Sequence, residues 1–230
     1  MPTVLVTGAN RGIGFEFAKQ YAGEGWRVLA CCRNPAKAPA LDKLAKESRG
    51  MVSVHGLDVT DGAAIRGLAQ ELKSEPIDLL INNAGVSGRD AGDLGAFNVQ
   101  AWLNTLAINT IAPAELTAAF ADNVARSGRK IVVTISSVLG SIAENNGGMY
   151  AYRSSKAAVN AVTKSLSNDL KGKGIIAVCL HPGWVQTDMG GPSAPVKPHE
   201  SVTGLRKVIG GLKPADSGHF YSFEGRQIPW

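Results

Sequence analysis

Thr3-Val4-Leu5-Val6-Thr7-Gly8-Ala9-Asn10-Arg11-Gly12-Ile13-Gly14 begins with a short branched run and ends in a cluster of glycines. Val4–Val6 is too short for a typical helix, and its branched side chains suit a pleated strand. Glycine accepts backbone torsions that other residues resist, so this turn lets the chain approach a ligand closely. From Gly14 to Ala22 the apolar residues return at helical spacing. The N-terminus of that helix offers free N–H groups and a favourable dipole, which suit a pyrophosphate. A glycine-rich turn alone is weak, since many tight turns contain Gly. Its place directly after the first strand is what favours nucleotide binding. The spacing Gly-x-x-x-Gly-x-Gly also differs from the more familiar Gly-x-Gly-x-x-Gly.

The same alternation continues along the chain. Arg27–Cys32, Met51–Leu57, Leu79–Ile81, Lys130–Ile135 and Ile175–Leu180 are short apolar runs, most of them bounded by Gly, Pro, Asn or Asp. Ala63–Lys73, Val99–Asn123 and Tyr152–Lys171 have helical spacing. Alternating strands and helices predict an α/β fold, a doubly wound parallel sheet with helices on both faces. Ligands bind such sheets beyond the carboxyl ends of the strands, at the switch in strand order. Every motif considered below falls just after a predicted strand. No repeat or linker divides the chain, so 1–230 reads as one domain: 1–130 mainly for a cofactor, 131–230 for catalysis and substrate. The Gly- and Pro-rich stretch Gly190–Pro198 reads as a loop over the site.

Composition narrows the class. The 230 residues are 44% hydrophobic and 19% charged with no long polar block, which points to a soluble globular chain and away from disorder. The net charge of +5 favours an anionic partner. Its Lys and Arg are scattered and not interleaved with aromatics, so a phosphorylated cofactor is favoured over nucleic acid. Cys31, Cys32 and Cys179 give neither a disulfide framework nor a metal-ligand spacing, and no metal is expected. Pro2–Gly8 reads as strand and turn, leaving no room for an export signal. No apolar run approaches the ~20 residues that span a membrane. The expected address is a reducing cytoplasm.

The second strand ends at Cys31-Cys32-Arg33. A carboxylate there would accept hydrogen bonds from a ribose 2′-hydroxyl, whereas an Arg suits a 2′-phosphate. Cys32 holds the acidic position and Arg33 follows it, with Arg11 as a second cation. The alternative is two solvated surface arginines. NADP(H) is favoured over NAD(H).

Tyr152-Arg153-Ser154-Ser155-Lys156 sets a phenol and an ammonium one helical turn apart on one face. A free Tyr has a pKa of about 10, and a nearby cation lowers it. The pair can then exchange a proton with a substrate oxygen while a cofactor handles hydride. Such pairs recur by chance in helices, so this one gains weight only from its neighbours. Tyr150 has no such partner, because residue 154 is Ser. Ser136-Ser137 ends the strand Lys130–Ile135, where a hydroxyl can orient a substrate oxygen; otherwise the two are an ordinary cap.

Taken together, the Thr7–Gly14 turn, Asn82-Asn83-Ala84-Gly85, Ser136-Ser137, Tyr152-x-x-x-Lys156 and Pro182-Gly183 resemble the short-chain dehydrogenase/reductase family in order and spacing. The resemblance covers nearly the whole chain. Gly148–Arg153, His181–Gly191 and Ile228-Pro229-Trp230 resemble its C-factor/sniffer-type carbonyl reductases. The resemblance implies a Rossmann-like sheet of about seven strands, ending at Phe220–Phe223. It implies Tyr152 as general acid, Lys156 lowering its pKa and binding the nicotinamide ribose, Ser137 positioning the carbonyl, and Asn109 holding a relay water. Without the family, Asn109 is just an Asn in a helical stretch.

The same resemblance puts the cofactor against Gly8, Asn10, Arg11, Gly12, Ile13, Gly14, Arg33, Asp58, Val59, Asn83, Ala84, Gly85, Pro182, Val185 and Thr187. Asn82 and Asn83 are read equally as structural groups at a strand end. A longer segment around Glu144–Gly148 than in many relatives leaves Ser136 as an alternative to Ser137. It also matches the carbonyl reductase subgroup, and Ser137 is kept. Trp184 is divided between substrate pocket and core packing. A homodimer or homotetramer acting on a small carbonyl or alcohol is implied. The competing reading is a cofactor-binding regulator with little turnover, which fold alone does not separate from an enzyme.

Overall fold

The computed structural model describes residues 1–230. Seven strands form one parallel sheet: β1 (Thr3–Thr7), β2 (Arg27–Cys32), β3 (Val52–Gly56), β4 (Leu79–Asn82), β5 (Ile131–Ile135), β6 (Ile176–His181) and β7 (Phe220–Ser222). Their order is β3-β2-β1-β4-β5-β6-β7. The chain winds outward from β1 to β3, then crosses back to place β4 on the other side of β1. That reversal is the switch point, and it opens a crevice between the ends of β1 and β4.

Strand pleating divides the core. Val4, Val6, Val28, Ala30, Ile81 and Val133 face one side, where they meet Phe17 and Tyr21 of α1 (Gly12–Gly23), Leu41 of α2 (Pro39–Glu47) and Val202, Leu205 and Ile209 of α7 (Pro198–Gly211). Their neighbours Leu5, Leu29, Leu80 and Val132 face the other side, against Ile65 and Leu68 of α3 (Gly62–Glu71) and Leu116, Phe120 and Val124 of α5 (Ala112–Ala125). Both faces are covered, so the strands read as unbroken apolar runs and not as alternating ones.

Two helices, α2 and α7, fall outside the stretches named from helical spacing. In α2 only Leu41 is buried, so its apolar stripe is too thin to read. In α7 the stripe Val202–Leu205–Ile209 has Gly204 within it and is followed at once by Gly210 and Gly211.

The stretch 99–123, expected as one helix, is α4 (Val99–Leu106), a π-turn at Ala107–Ile111, then α5. Pro113 accounts for the break. It has no N–H for the carbonyl of Asn109 four residues earlier, so the ladder widens, with the Ala112 N–H reaching back to Ala107. The 20-residue helix α6 (Tyr150–Asp169) follows.

Candidate active site

The glycine turn is held by Thr7, whose role no local sequence pattern signals. Its Oγ1 accepts from the N–H groups of Asn83 and Ala84 at 3.0 and 3.1 Å. Asn83 returns the contact, its Nδ2 donating to the Thr7 carbonyl at 2.9 Å. Asn82 donates to the Thr117 hydroxyl at 3.0 Å. Both amides brace the crevice. Gly14 packs so closely that a Cβ would lie 2.3 Å from the Gly8 oxygen.

Arg11 precedes the first residue of α1 and its side chain caps nothing. The orphan N–H groups at the start of α1 therefore face the turn, a cradle suited to a pyrophosphate. Asn10 is half-buried in the turn, and Ile13 packs against the core beneath it. The Arg11 guanidinium is paired with Asp188, in the segment after β6. Thr187 of that segment lies close enough to Gly12 that a Cβ there would be 3.2 Å from its methyl. Arg89 donates to the Met189 carbonyl at 3.0 Å from the other side. The segment after β6 therefore lies across the crevice, slightly earlier in the chain than the Gly190–Pro198 loop expected there.

Other expected contact residues line the same edge of the sheet. Arg33 is exposed at the end of β2. Asp58, after β3, is held below the usual carboxylate range by two hydrogen bonds from Thr60, with Arg33 adding a smaller effect. Val59 packs onto the second core face. Val185 is buried and bridges Val196, and the Pro182 carbonyl accepts from the Ser201 hydroxyl at 2.5 Å. Trp184 is 56% exposed, with Nε1 on the Gly190 carbonyl at 2.8 Å, so it is not a core residue.

Ser137, Tyr152, Lys156 and Asn109 converge beyond the ends of β4 and β5. Ser136 and Ser137 differ in their partners: the Ser136 hydroxyl is buried and donates to Asn160 Oδ1 at 2.6 Å. The Ser137 hydroxyl accepts from the Leu139 N–H at 3.2 Å and sits near enough to the Tyr152 phenol to ease its ionisation. Lys156 is 5% exposed and donates to the Ile135 carbonyl at 2.8 Å; its ammonium is 5.8 Å from the centre of the Tyr152 ring. A Cβ on Gly85 would lie 3.2 Å from Asn109 Oδ1 and 3.8 Å from Lys156 Nζ, so Gly85 packs closely between the two side chains. Asn109 Nδ2 also donates to the Ser155 hydroxyl at 2.9 Å, a link from the π-turn to α6 that spacing gave no means of finding.

The electrostatics differ from the simple expectation. Burial raises the Tyr152 phenol above its ordinary value, with the Ser137 hydrogen bond opposing. Burial also lowers Lys156 to about 8. The lowering of the phenol expected from Lys156 is absent here because the ammonium is turned to the Ile135 carbonyl, 5.8 Å from the centre of the ring.

Residues 2–197 match the family described as short chain dehydrogenase. The chain is 43% identical over 167 residues to C-signal of Myxococcus xanthus, covering 72% of this chain and 100% of that protein. Among solved structures, the carbonyl reductase Sniffer of D. melanogaster is 35% identical with a TM-score of 0.92, covering 100% of both chains. The NADPH-bound carbonyl reductase from chicken fatty liver is 37% identical with a TM-score of 0.92, covering 100% of this chain and 99% of that one.

Proposed function

The chain belongs to the short chain dehydrogenase family, and on that premise we propose that it is an NADP(H)-dependent carbonyl reductase acting through Tyr152, Ser137, Lys156 and Asn109. The observation that carries this reading is the gathering of Tyr152, Lys156 and Asn109, with Ser137 at the end of β5, on the same sheet edge as the glycine turn. The cradle of orphan N–H groups before α1 fits a pyrophosphate, and exposed Arg33 at the end of β2 fits a 2′-phosphate. The neighbour solved with NADPH supports the same choice.

NADPH, when bound, supplies the hydride that reaches the carbonyl carbon. The rest is the work of this chain. Ser137 donates a hydrogen bond to the carbonyl oxygen and orients it, and Tyr152 gives that oxygen its proton. A phenol raised by burial stays protonated at neutral pH, which suits reduction over alcohol oxidation. Lys156 stands next in line to restore the proton. Both N–H groups of the Asn109 side chain are engaged and its oxygen accepts from Val86, so its contribution to a relay falls to its backbone carbonyl, which receives no N–H from Pro113.

The test is loss of NADPH absorbance across aldehydes, ketones and quinones, with Tyr152→Phe alongside. Turnover that falls by about 10²–10⁴-fold in Tyr152→Phe, with NADPH binding intact, is the expected result. Near-normal turnover in that variant defeats the mechanism. A regulatory reading draws on one observation, the 43% identity to a protein named C-signal. It predicts tight NADPH binding with no turnover on any carbonyl of the panel.

A further inference from the structure

A cavity of about 290 Å³ lies on the side of α6 turned away from the proposed reacting groups. Tyr150, Arg153, Ser154 and Ala157 front it, whereas Tyr152 and Lys156 do not. The helical repeat of 3.6 residues puts these two sets on different faces. The opposite walls come from Trp102 on α4 and from the segment after β5. Its size is at the lower end of small-molecule sites, about 300 Å³.

Arg153 gives this cavity an unusual charge. The residue is 7% exposed, yet no ion pair of the chain includes it. Its guanidinium donates to Asn146 Oδ1 and, at 3.5 Å, to the Leu139 carbonyl, both neutral acceptors. Its Nε is buried with no partner. Guanidinium does not shed its proton, and a buried charge without a counter-ion is costly. An anion entering the cavity removes that cost.

The walls set the rest of the ligand. The rings of Trp102 and Tyr150 lie 6.5 Å apart, and Phe97 stacks edge-on to both at 5.3 and 5.2 Å. Trp102 Nε1 is fixed by the Ser154 hydroxyl at 2.9 Å. One fork-shaped cation beside a rigid aromatic wall matches a single carboxylate on an apolar body, and a phosphate would need more donors than these. We propose that the cavity is a second ligand site, distinct from the reductase site, which takes a small aromatic or short-chain acyl monocarboxylate, with Arg153 on the carboxylate and Trp102 and Tyr150 flanking the body.

Benzoate and benzamide share a shape and differ in charge, so titrating each into the whole chain tests the proposal. Tryptophan emission should change saturably with benzoate and about tenfold more weakly with benzamide. Arg153→Gln should lose the benzoate response, and Trp102→Phe should remove the emission change. Ala157→Leu fills the cavity from α6 with a good helix former, so it keeps the fold and should weaken benzoate about tenfold by ligand-observed NMR. Where Arg153→Gln fails to fold, Ala157→Leu decides. Saturating NADPH should leave benzoate affinity unchanged. The proposal is overturned by no saturable response, by equal responses to the two probes, by benzoate binding that survives Ala157→Leu, or by competition with NADPH.

Discussion

The carboxamide of Asn109 closes both backbone groups of Val86, accepting from its N–H and donating to its carbonyl, each at 2.9 Å. The side chain thus acts as one residue of an extra strand, clamping the loop after β4 to the π-turn. Its remaining N–H reaches the Ser155 hydroxyl at 2.9 Å. Asn109 is buried, so water does not replace these bonds if the amide is removed. Asn109→Ala should therefore destabilise the fold by about 2–3 kcal/mol, read from urea unfolding. A loss under about 0.5 kcal/mol would show that the clamp is ornamental.

Lys156 carries a pH signature. Its folded-state pKa is about 8, depressed by burial from the ordinary 10.5. Between those values the unfolded chain binds the extra proton, so stability rises with pH there; below pH 8 both states are protonated and this group adds no slope. Wild type should gain roughly 2 kcal/mol relative to Lys156→Met between about pH 7 and 9.5. Parallel stability curves for the two proteins over that interval would contradict the burial of the charge.

The glycine turn, the alternation of strands and helices and the one-turn spacing of Tyr152 and Lys156 were legible because each depends on local sequence: a torsion only Gly accepts, branched runs, and helical spacing. The division of 99–123 was also written locally, in Pro113, but its helical apolar spacing continues through the break and masks it. What no local pattern carries is the partner of a side chain. Thr7 bracing Asn83, Asn160 occupying Ser136, and Ile135 occupying Lys156 all join residues far apart in the chain. The expectation of a lowered Tyr152 pKa failed on this point. It placed the cation correctly in the helix but could not see where the ammonium turns.

Tyr152 itself should ionise late. Burial raises its phenol above 10, and no cation in direct contact offsets this. In the protein without cofactor, the phenolate absorbance lost on Tyr152→Phe should therefore arise only above about pH 10. Absorbance lost at lower pH would mean that Lys156 governs the phenol even without cofactor.

Arg33 tests the cofactor's phosphate. It is exposed at the end of β2, where Cys32 leaves no carboxylate to repel a 2′-phosphate. Arg33→Ala should weaken NADPH by about tenfold or more, the worth of a charged hydrogen bond, and change NADH little. An equal effect on both cofactors in a binding titration would remove Arg33 from the 2′-phosphate and leave Arg11, once released from Asp188, as the remaining cation.

Two helical glycines should respond to alanine with opposite signs. On α3, a Cβ at Gly67 meets nothing within 4 Å, so Gly67→Ala gains helix propensity and should stabilise by about 0.5–1 kcal/mol. On α1, a Cβ at Gly14 would sit 2.3 Å from the Gly8 oxygen and 2.5 Å from Asn83 Nδ2. Neither neighbour is a loose side-chain end: the first is backbone, and the second donates to the Thr7 carbonyl at 2.9 Å. Relief requires the whole turn to move away from α1, which outweighs any propensity gain. Gly14→Ala should destabilise by about 1–3 kcal/mol and weaken NADPH, because the displaced turn is the cradle itself. Urea midpoints report the first effect and a binding titration the second. A Gly14→Ala protein as stable as Gly67→Ala would mean that the turn yields freely, and that close packing of α1 against Gly8 is not what shapes the cradle.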